Sequence, residues 1–275
     1  MLSIGIDLGC SFHKIVVLEA KKILHAEVIE PENIQRIDRH LLTSWYPPLA
    51  DSEIRLFITG GRSKFIDVDA SIVTERIDEI AAIAAGCQYF SPLLKRLLCI
   101  SLGTGTCIVG SQLKHYQHLG GSGLGGGTLN GCARYLFPQS LQPVQTLFEF
   151  ASRGESAKVD ITVGEIIGSG IGIVPAHATA SHLGQLTAKS ATEDIAWGLV
   201  NLVATEITNL AVFCAKSQSF NHIVFIGYPI QHPLVSSIII ERLKMVAPEI
   251  VPIFPNRPVF GSALGAVHFR QLNSL

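Results

Sequence analysis

The sequence predicts an α/β protein of two lobes that share a cleft, and three observations carry that reading. Its 275 residues exceed a typical single domain, yet are few enough for two lobes closing on one site. Hydrophobic residues make up 48% and charged residues 16%, which supplies a sizeable core and excludes a disordered chain. Two strand–turn–strand units, over residues 2–18 and 97–110, carry glycine and hydroxyl residues at their tips, as two similarly built lobes facing each other would.

The elements follow in order. Residues 2–8 alternate and turn at Asp7-Leu8-Gly9, HKIVVLEA resumes as a β-branched run, and KKILHAEVIE supplies a third strand. Residues 31–50, opening at Pro31-Glu32 and ending before Pro47-Pro48, read as a helix. Ile54 to Thr59 is a strand closing on Gly60-Gly61. From Ser71 to Ala85, apolar residues at 72, 73, 77, 80, 83 and 84 predict a helix with Gly86 as its C-cap. Leu97 to Leu102 enters a glycine turn and Cys107 to Gly110 leads out of it. Residues 127–137, 141–154 and Val163 to Ile167 read as helices, and Ser190 to Ala215 as a long one with a Ser190/Glu193 capping box. HIVFIG (222–227) is a strand, Pro233 to Val246 a helix, Ile250 to Phe254 a last strand, and Phe260 to Gln271 a closing helix with small residues suited to close packing. The lobes are expected to divide as 1–95 and 96–275.

Composition excludes several functions. A net charge of −1 without any Lys/Arg run opposes general nucleic-acid binding, so a small-molecule ligand is expected. Six cysteines at irregular spacings, with no Cys-x-x-Cys, suggest neither zinc nor disulfides, but free thiols in a reducing compartment. The N-terminus is too briefly apolar for a signal peptide, and the apolar run 195–213 is broken by Asn201, Glu206 and Asn209. A cytoplasmic protein without a membrane span is expected. No Gly-x-x-x-x-Gly-Lys-Ser/Thr, Gly-x-Ser-x-Gly or His-Glu-x-x-His occurs. Gly121-x-Gly123-x-x-Gly126 matches the dinucleotide pattern, but such a match comes easily inside a glycine run.

The candidate chemistry sits in three places. Ser101 to Gly131 has two glycine turns, Gly103–Thr106 and Gly120–Gly127, whose backbone N–H groups suit a phosphate at a helix start. Asp7, Gly9, Ser11 and Lys14 form the inventory of a phosphate and magnesium site, although a hairpin turn with a surface lysine explains them more simply. Glu75, Asp78 and Glu79 are either a solvated helix face or include a general base.

Six motifs in order make the chain resemble the type II pantothenate kinases, within the acetate kinase/sugar kinase/Hsp70/actin superfamily. They are GIDLGCSFHK (5–14), SLGTGTC (101–107), HLGGSGLGGGTLNGC (118–132), TASHLG (179–184), VFIG (224–227) and FGSALGA (260–266). The resemblance implies a two-lobed actin-like ATPase (ribonuclease H-like) fold with mixed sheets and nucleotide in the interlobe cleft. It implies transfer of the ATP γ-phosphoryl group to pantothenate, the first step of coenzyme A synthesis, with ATP and Mg²⁺ as cofactors. Glu79 would be the base, Asp7 would hold Mg²⁺ directly or through water, and Lys14 and Ser11 would contact phosphate. Gly9, Gly103, Thr104, Gly105 and Thr106 would line the phosphate loops, and N–H groups of Gly121, Gly123, Gly125, Gly126 and Gly127 would grip phosphate. Thr104 and His118 would meet the acceptor. A homodimer, with coenzyme A as inhibitor, is also implied.

The chain departs from the family pattern at five positions. His118 replaces the arginine that opens the glycine loop, with Lys114 and Arg134 as nearby cations; Ser101 and Cys107 replace Asn and Ser, Cys10 a glycine, and His177 an Asp. These changes leave open an acceptor such as pantetheine or another small alcohol, and a catalytically weak regulator that binds nucleotide or coenzyme A.

Overall fold

The computed structural model describes residues 1–30, 34–112 and 115–273. Two five-stranded sheets dominate it, and they share one strand order. The chain runs through β1 (Leu2–Leu8), β2 (His13–Glu19), β3 (Lys22–Ile29), β4 (Arg36–Ile37), α1 (Arg39–Trp45), β5 (Ile54–Thr59), β6 (Asp67–Val68), β7 (Val73–Arg76) and α2 (Glu79–Phe90). It continues through β8 (Arg96–Leu102), β9 (Thr106–Gln112), β10 (His115–Ser122), α3 (Gly126–Leu136), α4 (Pro143–Ala151), β11 (Ile161–Thr162), α5 (Val163–Ile167) and β12 (Thr179–Ser181). The last elements are α6 (Thr192–Gln218), β13 (His222–Gly227), α7 (Pro233–Val246), β14 (Val251–Ile253) and α8 (Gly261–Asn273). The first sheet runs β3-β2-β1-β5-β7 and the second β10-β9-β8-β13-β14, so each is a three-stranded antiparallel meander extended by two parallel strands.

Alternation along the strands sends each sheet's side chains to two faces. Ile4, Ile6, Leu8, Ile15, Val17, Leu56 and Ile58 pack outward with Leu42 of α1, while Val16, Leu18 and Phe57 pack inward on Ala263, Leu264 and Val267 of α8. In the second sheet, Ile100, Leu102, Ile108 and Phe225 share a core with α3, α4, α6 and α7. Its opposite face, Leu97, Cys99, Val109 and Val224, packs on Ile83, Ala84 and Cys87 of α2. Thus α2 and α8 lie between the sheets, one against each. Their contact depends on glycine: a Cβ at Gly86 would collide with the Gly261 carbonyl, and one at Gly265 with the Ala82 carbonyl. Small residues let the two backbones approach closer than an ordinary helix pair.

The structure corrects several expectations. The helix expected from Ser71 begins only at Glu79; Val73–Arg76 is instead the edge strand β7, because residues 72, 73 and 77 suit a strand and a turn as well as a helix. Gly86 is not a C-cap, and α2 runs past it to Phe90 because Gly86 is the point of closest approach to α8. The Ser190/Glu193 box does not form: the N-cap of α6 is Ala191, without a side-chain hydrogen bond, and Ser190 Oγ accepts from Thr187 N at 3.1 Å. His115–Ser122, to which the sequence assigned no element, is the edge strand β10. Residues 31–33 lie outside the described residues; the described part of that segment holds β4 and a shorter helix, α1, capped by Asp38, which accepts from Leu41 N at 2.9 Å. α6 is long and apolar enough to cross a membrane by composition alone, with mean hydropathy 1.5, but 67% of that stretch is buried in the protein.

Candidate active site

The site is built where the C-terminal ends of β1 and β8 meet. Antiparallel register sets Asp7 of β1 opposite Lys14 of β2, and their side chains pair at 3.2 Å between Lys14 Nζ and Asp7 Oδ2, each only 11% exposed. A desolvated pair of this kind needs good geometry to hold. The turn between the strands supplies that geometry: a Cβ at Gly9 would sit 2.9 Å from Lys14 Nζ, and one at Gly60, whose φ is +93°, would sit 2.6 Å from Asp7 Oδ1. Both glycines therefore let backbone close on the ion pair.

Glu79 faces this pair from the head of α2. Asp78 fixes it there, accepting hydrogen bonds from Ile80 N at 3.0 Å and Ala81 N at 3.2 Å as an N-cap. Glu79 is exposed at the cleft surface, yet partial desolvation by the protein around its carboxyl raises it above the ordinary glutamate range, the neighbouring Asp7 charge adds to this, and Lys14 opposes it. Cys107 lines the same space, and its thiol is pushed up to about 11, first by burial and then by the Glu79 and Asp78 carboxylates. Glu75 is separated from Glu79: it sits on β7, where Arg55 and Arg270 pair with it at 3.4 and 2.8 Å.

The two strand–turn–strand tips touch across the cleft. Ser11 Oγ lies 3.0 Å from Thr104 Oγ1, and the rings of Phe12 and Tyr228 stack at 5.0 Å. Beneath them is a cavity of about 330 Å³. Asp7, Lys14 and Glu79 line its polar end, while Leu129, Val144, Phe148 and Pro229 add an apolar wall. Gly9, Ser11, Gly103, Thr104, Gly105, Thr106 and Gly126 also line it, so most of the sequence candidates come together. The apolar wall had no sequence signal, because Val144 and Phe148 read as ordinary core residues of a helix.

The glycine loop does something other than expected. Gly126 N donates to Gly103 O and Gly127 N to Thr104 O, both at 2.8 Å, while Leu124 N donates to Ser122 Oγ at 3.0 Å and Gly125 N to Thr128 Oγ1 at 3.3 Å. The expected phosphate grip through the Gly125, Gly126 and Gly127 N–H groups is thus spent within the protein. These donors, left free at any helix start, instead dock α3 onto the 103–105 turn. Gly121 lies in the β9–β10 ladder, and a Cβ at Gly123 would meet open space. His118 stands exposed on β10, beside a bulge, and is not among the residues lining the cavity. Lys114 lies outside the described residues, and Arg134 is exposed on α3.

The TASHLG segment also lies away from the cleft. It forms β12 and the following turn around Asp160, which is fully buried and accepts from Thr179 Oγ1 (3.1 Å), Leu183 N (2.8 Å) and Asn201 Nδ2 (2.9 Å). Burial works to raise the Asp160 carboxyl, but hydrogen bonds from His182, Leu183 and Asn201 outweigh it and hold it below the ordinary range. This network pins the segment to α6.

Among the described residues, no group of three or more His, Cys, Asp or Glu side chains is placed to hold a metal alone. The Asp7 carboxylate lining the cavity nevertheless suits Mg²⁺, which takes one or two carboxylates and fills its shell with water and phosphate oxygens.

Two sheets of common order around a shared cleft define the fold of the actin-like ATPases and ROK sugar kinases. The chain is similar to the activator of 2-hydroxyisocaproyl-CoA dehydratase from Clostridium difficile with bound ADPNP, at TM-score 0.67 and 18% identity, covering 100% of this chain and 96% of that one. It is also similar to a ROK family glucokinase from Streptomyces griseus in complex with glucose and AMPPNP, at TM-score 0.58 and 12% identity over 98% and 100% of the two chains. The sequence profile of the Fumble family matches residues 92–267, and the chain belongs to that family. Relatives named Type II pantothenate kinase include one from Bacillus cereus (strain G9842), 27% identical over 234 residues that span 82% of this chain and 83% of that one. Another, from Oceanobacillus iheyensis, is 29% identical over 82% of this chain and 84% of that one.

Proposed function

We propose that this chain, a small-molecule kinase of the Fumble family, transfers the γ-phosphoryl group of ATP to the primary alcohol of pantothenate, giving 4'-phosphopantothenate and ADP. The observation that carries this reading is the Glu79 carboxyl, which lines the same cavity as the Asp7–Lys14 pair and is held above the ordinary glutamate range there. A raised carboxylate near an incoming hydroxyl is suited to take its proton as the oxygen attacks phosphorus. The new O–P bond forms as the bond between the γ-phosphorus and the bridging oxygen breaks, and ADP leaves. Such a transition state needs positioning and charge neutralisation. Lys14 supplies one positive charge, and Ser11, Thr104 and Thr106 supply hydroxyls from the two loops. Mg²⁺, held through Asp7 and phosphate oxygens, would neutralise charge on the phosphates.

The apolar wall of Leu129, Val144, Phe148 and Pro229 suits the nucleotide base. A cytoplasmic homodimer, inhibition by coenzyme A and a division into lobes at 1–95 and 96–275 belong to the same proposal and rest on the family resemblance. One observation favours a second acceptor: with His118 off the cleft, no described cation lines the cavity besides Lys14, so a neutral alcohol such as pantetheine fits as well as a carboxylate-bearing one.

The test is to incubate pure protein with Mg-ATP and either pantothenate or pantetheine, following ADP release and product mass. Acceptor-dependent ADP with a phosphorylated product is expected. Absence of turnover with both acceptors, despite nucleotide-induced stabilisation, would overturn both and leave another small alcohol as acceptor or the regulator reading.

A further inference from the structure

The end of β5 holds a group that the proposed chemistry has not used. Thr59 is fully buried, and among the described residues its Oγ1 has no hydrogen-bond partner. Buried hydroxyls are nearly always satisfied, so such a group asks what it is kept for.

Its place in the sheet narrows the answer. Register pairs Asp7 with Lys14 on one side and with Thr59 on the other, so the three residues form a single row across β2, β1 and β5. Side chains in register point to the same face, and adjacent strands lie about 4.8 Å apart. That face is the inner one: Phe57, two residues before Thr59, packs there against α8, as does Val16, two residues after Lys14. Lys14 takes Asp7 Oδ2. The other oxygen, Oδ1, lies over the end of β5, where a Cβ on Gly60 would come within 2.6 Å of it. The left-handed φ of Gly60 turns the chain immediately after Thr59, and the lack of a side chain at Gly60 leaves room for Oδ1 there.

We infer that Thr59 is a positioning residue for Asp7: its hydroxyl serves Oδ1 through one buried water, as Lys14 serves Oδ2 directly, and so fixes the plane of the carboxylate. A carboxylate held at both oxygens presents its remaining lone pairs in one direction, and partners behind a metal-facing carboxylate tune how well it holds the ion. Thr59 itself touches neither nucleotide nor acceptor. The inference rests on the reading of Asp7 as the Mg²⁺-facing carboxylate.

The experiment titrates Mg²⁺ at fixed ADP and reads the thermal stabilisation of the full chain, comparing wild type with Thr59→Val and Thr59→Ser. Valine keeps the shape and removes the hydroxyl; serine keeps the hydroxyl. Thr59→Val should need about ten- to a hundred-fold more Mg²⁺ for half-maximal stabilisation, and Thr59→Ser should stay near wild type. A Thr59→Val protein whose Mg²⁺ midpoint matches wild type overturns the inference while leaving the kinase reading intact. Equal losses in both variants also overturn it, since they would report packing. If Thr59→Val does not fold, Thr59→Ala is titrated in its place under the same criteria. A wild-type chain stabilised by ADP with no dependence on Mg²⁺ defeats the underlying reading of Asp7 instead, and the inference with it.

Discussion

Replacing Glu79 by Gln should move activity and stability in opposite directions. The change preserves shape and removes only the charge and the proton-accepting oxygen. A general base contributes about 10²- to 10⁴-fold, so kcat should fall by that factor, equivalent to about 2.7–5.4 kcal/mol of transition-state stabilisation. The KM for Mg-ATP should change little, because the loops carrying Ser11 and Thr104 do not depend on Glu79. Stability follows from the raised carboxyl of Glu79, which burial and Asp7 both disfavour in its ionised form. A folded-state pKa above the unfolded one gives stability that is fully present below the unfolded value and lost as pH rises through the folded value. At neutral pH the ionised Glu79 is therefore a burden on the fold, and Glu79→Gln should melt higher than wild type. The difference should vanish below the ordinary glutamate value of 4.5. The same shift sets the acid limb of kcat/KM above that value, since the base must be ionised to act. Melting curves and initial rates across pH 4–9 (roughly the window these shifts span) test both claims. A variant that keeps wild-type turnover, or that melts lower at neutral pH, would refute the reasoning.

Three other outcomes follow from the same structure. Asp7→Asn leaves the Lys14 ammonium buried without its partner, and should cost about 3–5 kcal/mol in urea unfolding; the double variant Asp7→Asn/Lys14→Met should recover most of that stability without recovering activity. Gly265→Ala forces a methyl against the Ala82 carbonyl, and should destabilise the chain by about 1–3 kcal/mol or more, measured by thermal or denaturant unfolding. Cys10 is exposed on the first loop, whereas the half-buried Cys107 thiol is pushed up to about 11. Iodoacetamide at pH 8 (about three pH units below the Cys107 value) should therefore label Cys10 and spare Cys107, with Mg-ATP slowing the labelling, as peptide mass mapping would show.

Strands and helices that bury one face were legible from periodicity alone. The spans 222–227 and 233–246 were read with the boundaries the structure has, because apolar runs there end at glycine or begin at proline. The edge strands were not legible. β10 is mostly exposed, so His115 to His118 carry no apolar alternation, and β7 is short enough for its valine and the nearby isoleucines to imitate a helix. Asp7, Lys14 and Glu79 were singled out by the family resemblance, since by themselves a hairpin turn with a surface lysine and a solvated helix face explained them as well; the structure lines one cavity with all three. Their neighbours were not singled out. Thr59 looked like the end of a strand, and the apolar wall around Phe148 looked like core. The glycines from 125 to 127 were misread, because a sequence shows that backbone comes close to something without showing what. Here it is the turn at Gly103 and Thr104.

The placement of α8 has a consequence for how the chain is made. Its residues, 261–273, cover the inner face of the sheet at β2 and β5, whose residues leave the ribosome some two hundred positions earlier. During synthesis that face, with Val16, Leu18 and Phe57, has no native cover until the last helix emerges. The first sheet can assemble its meander early, but it cannot finish its core on its own. Ribosome-bound chains stopped before residue 261 should accordingly expose a sticky apolar surface and attract chaperones, and the geometry around Asp7 should set only after the final helix docks.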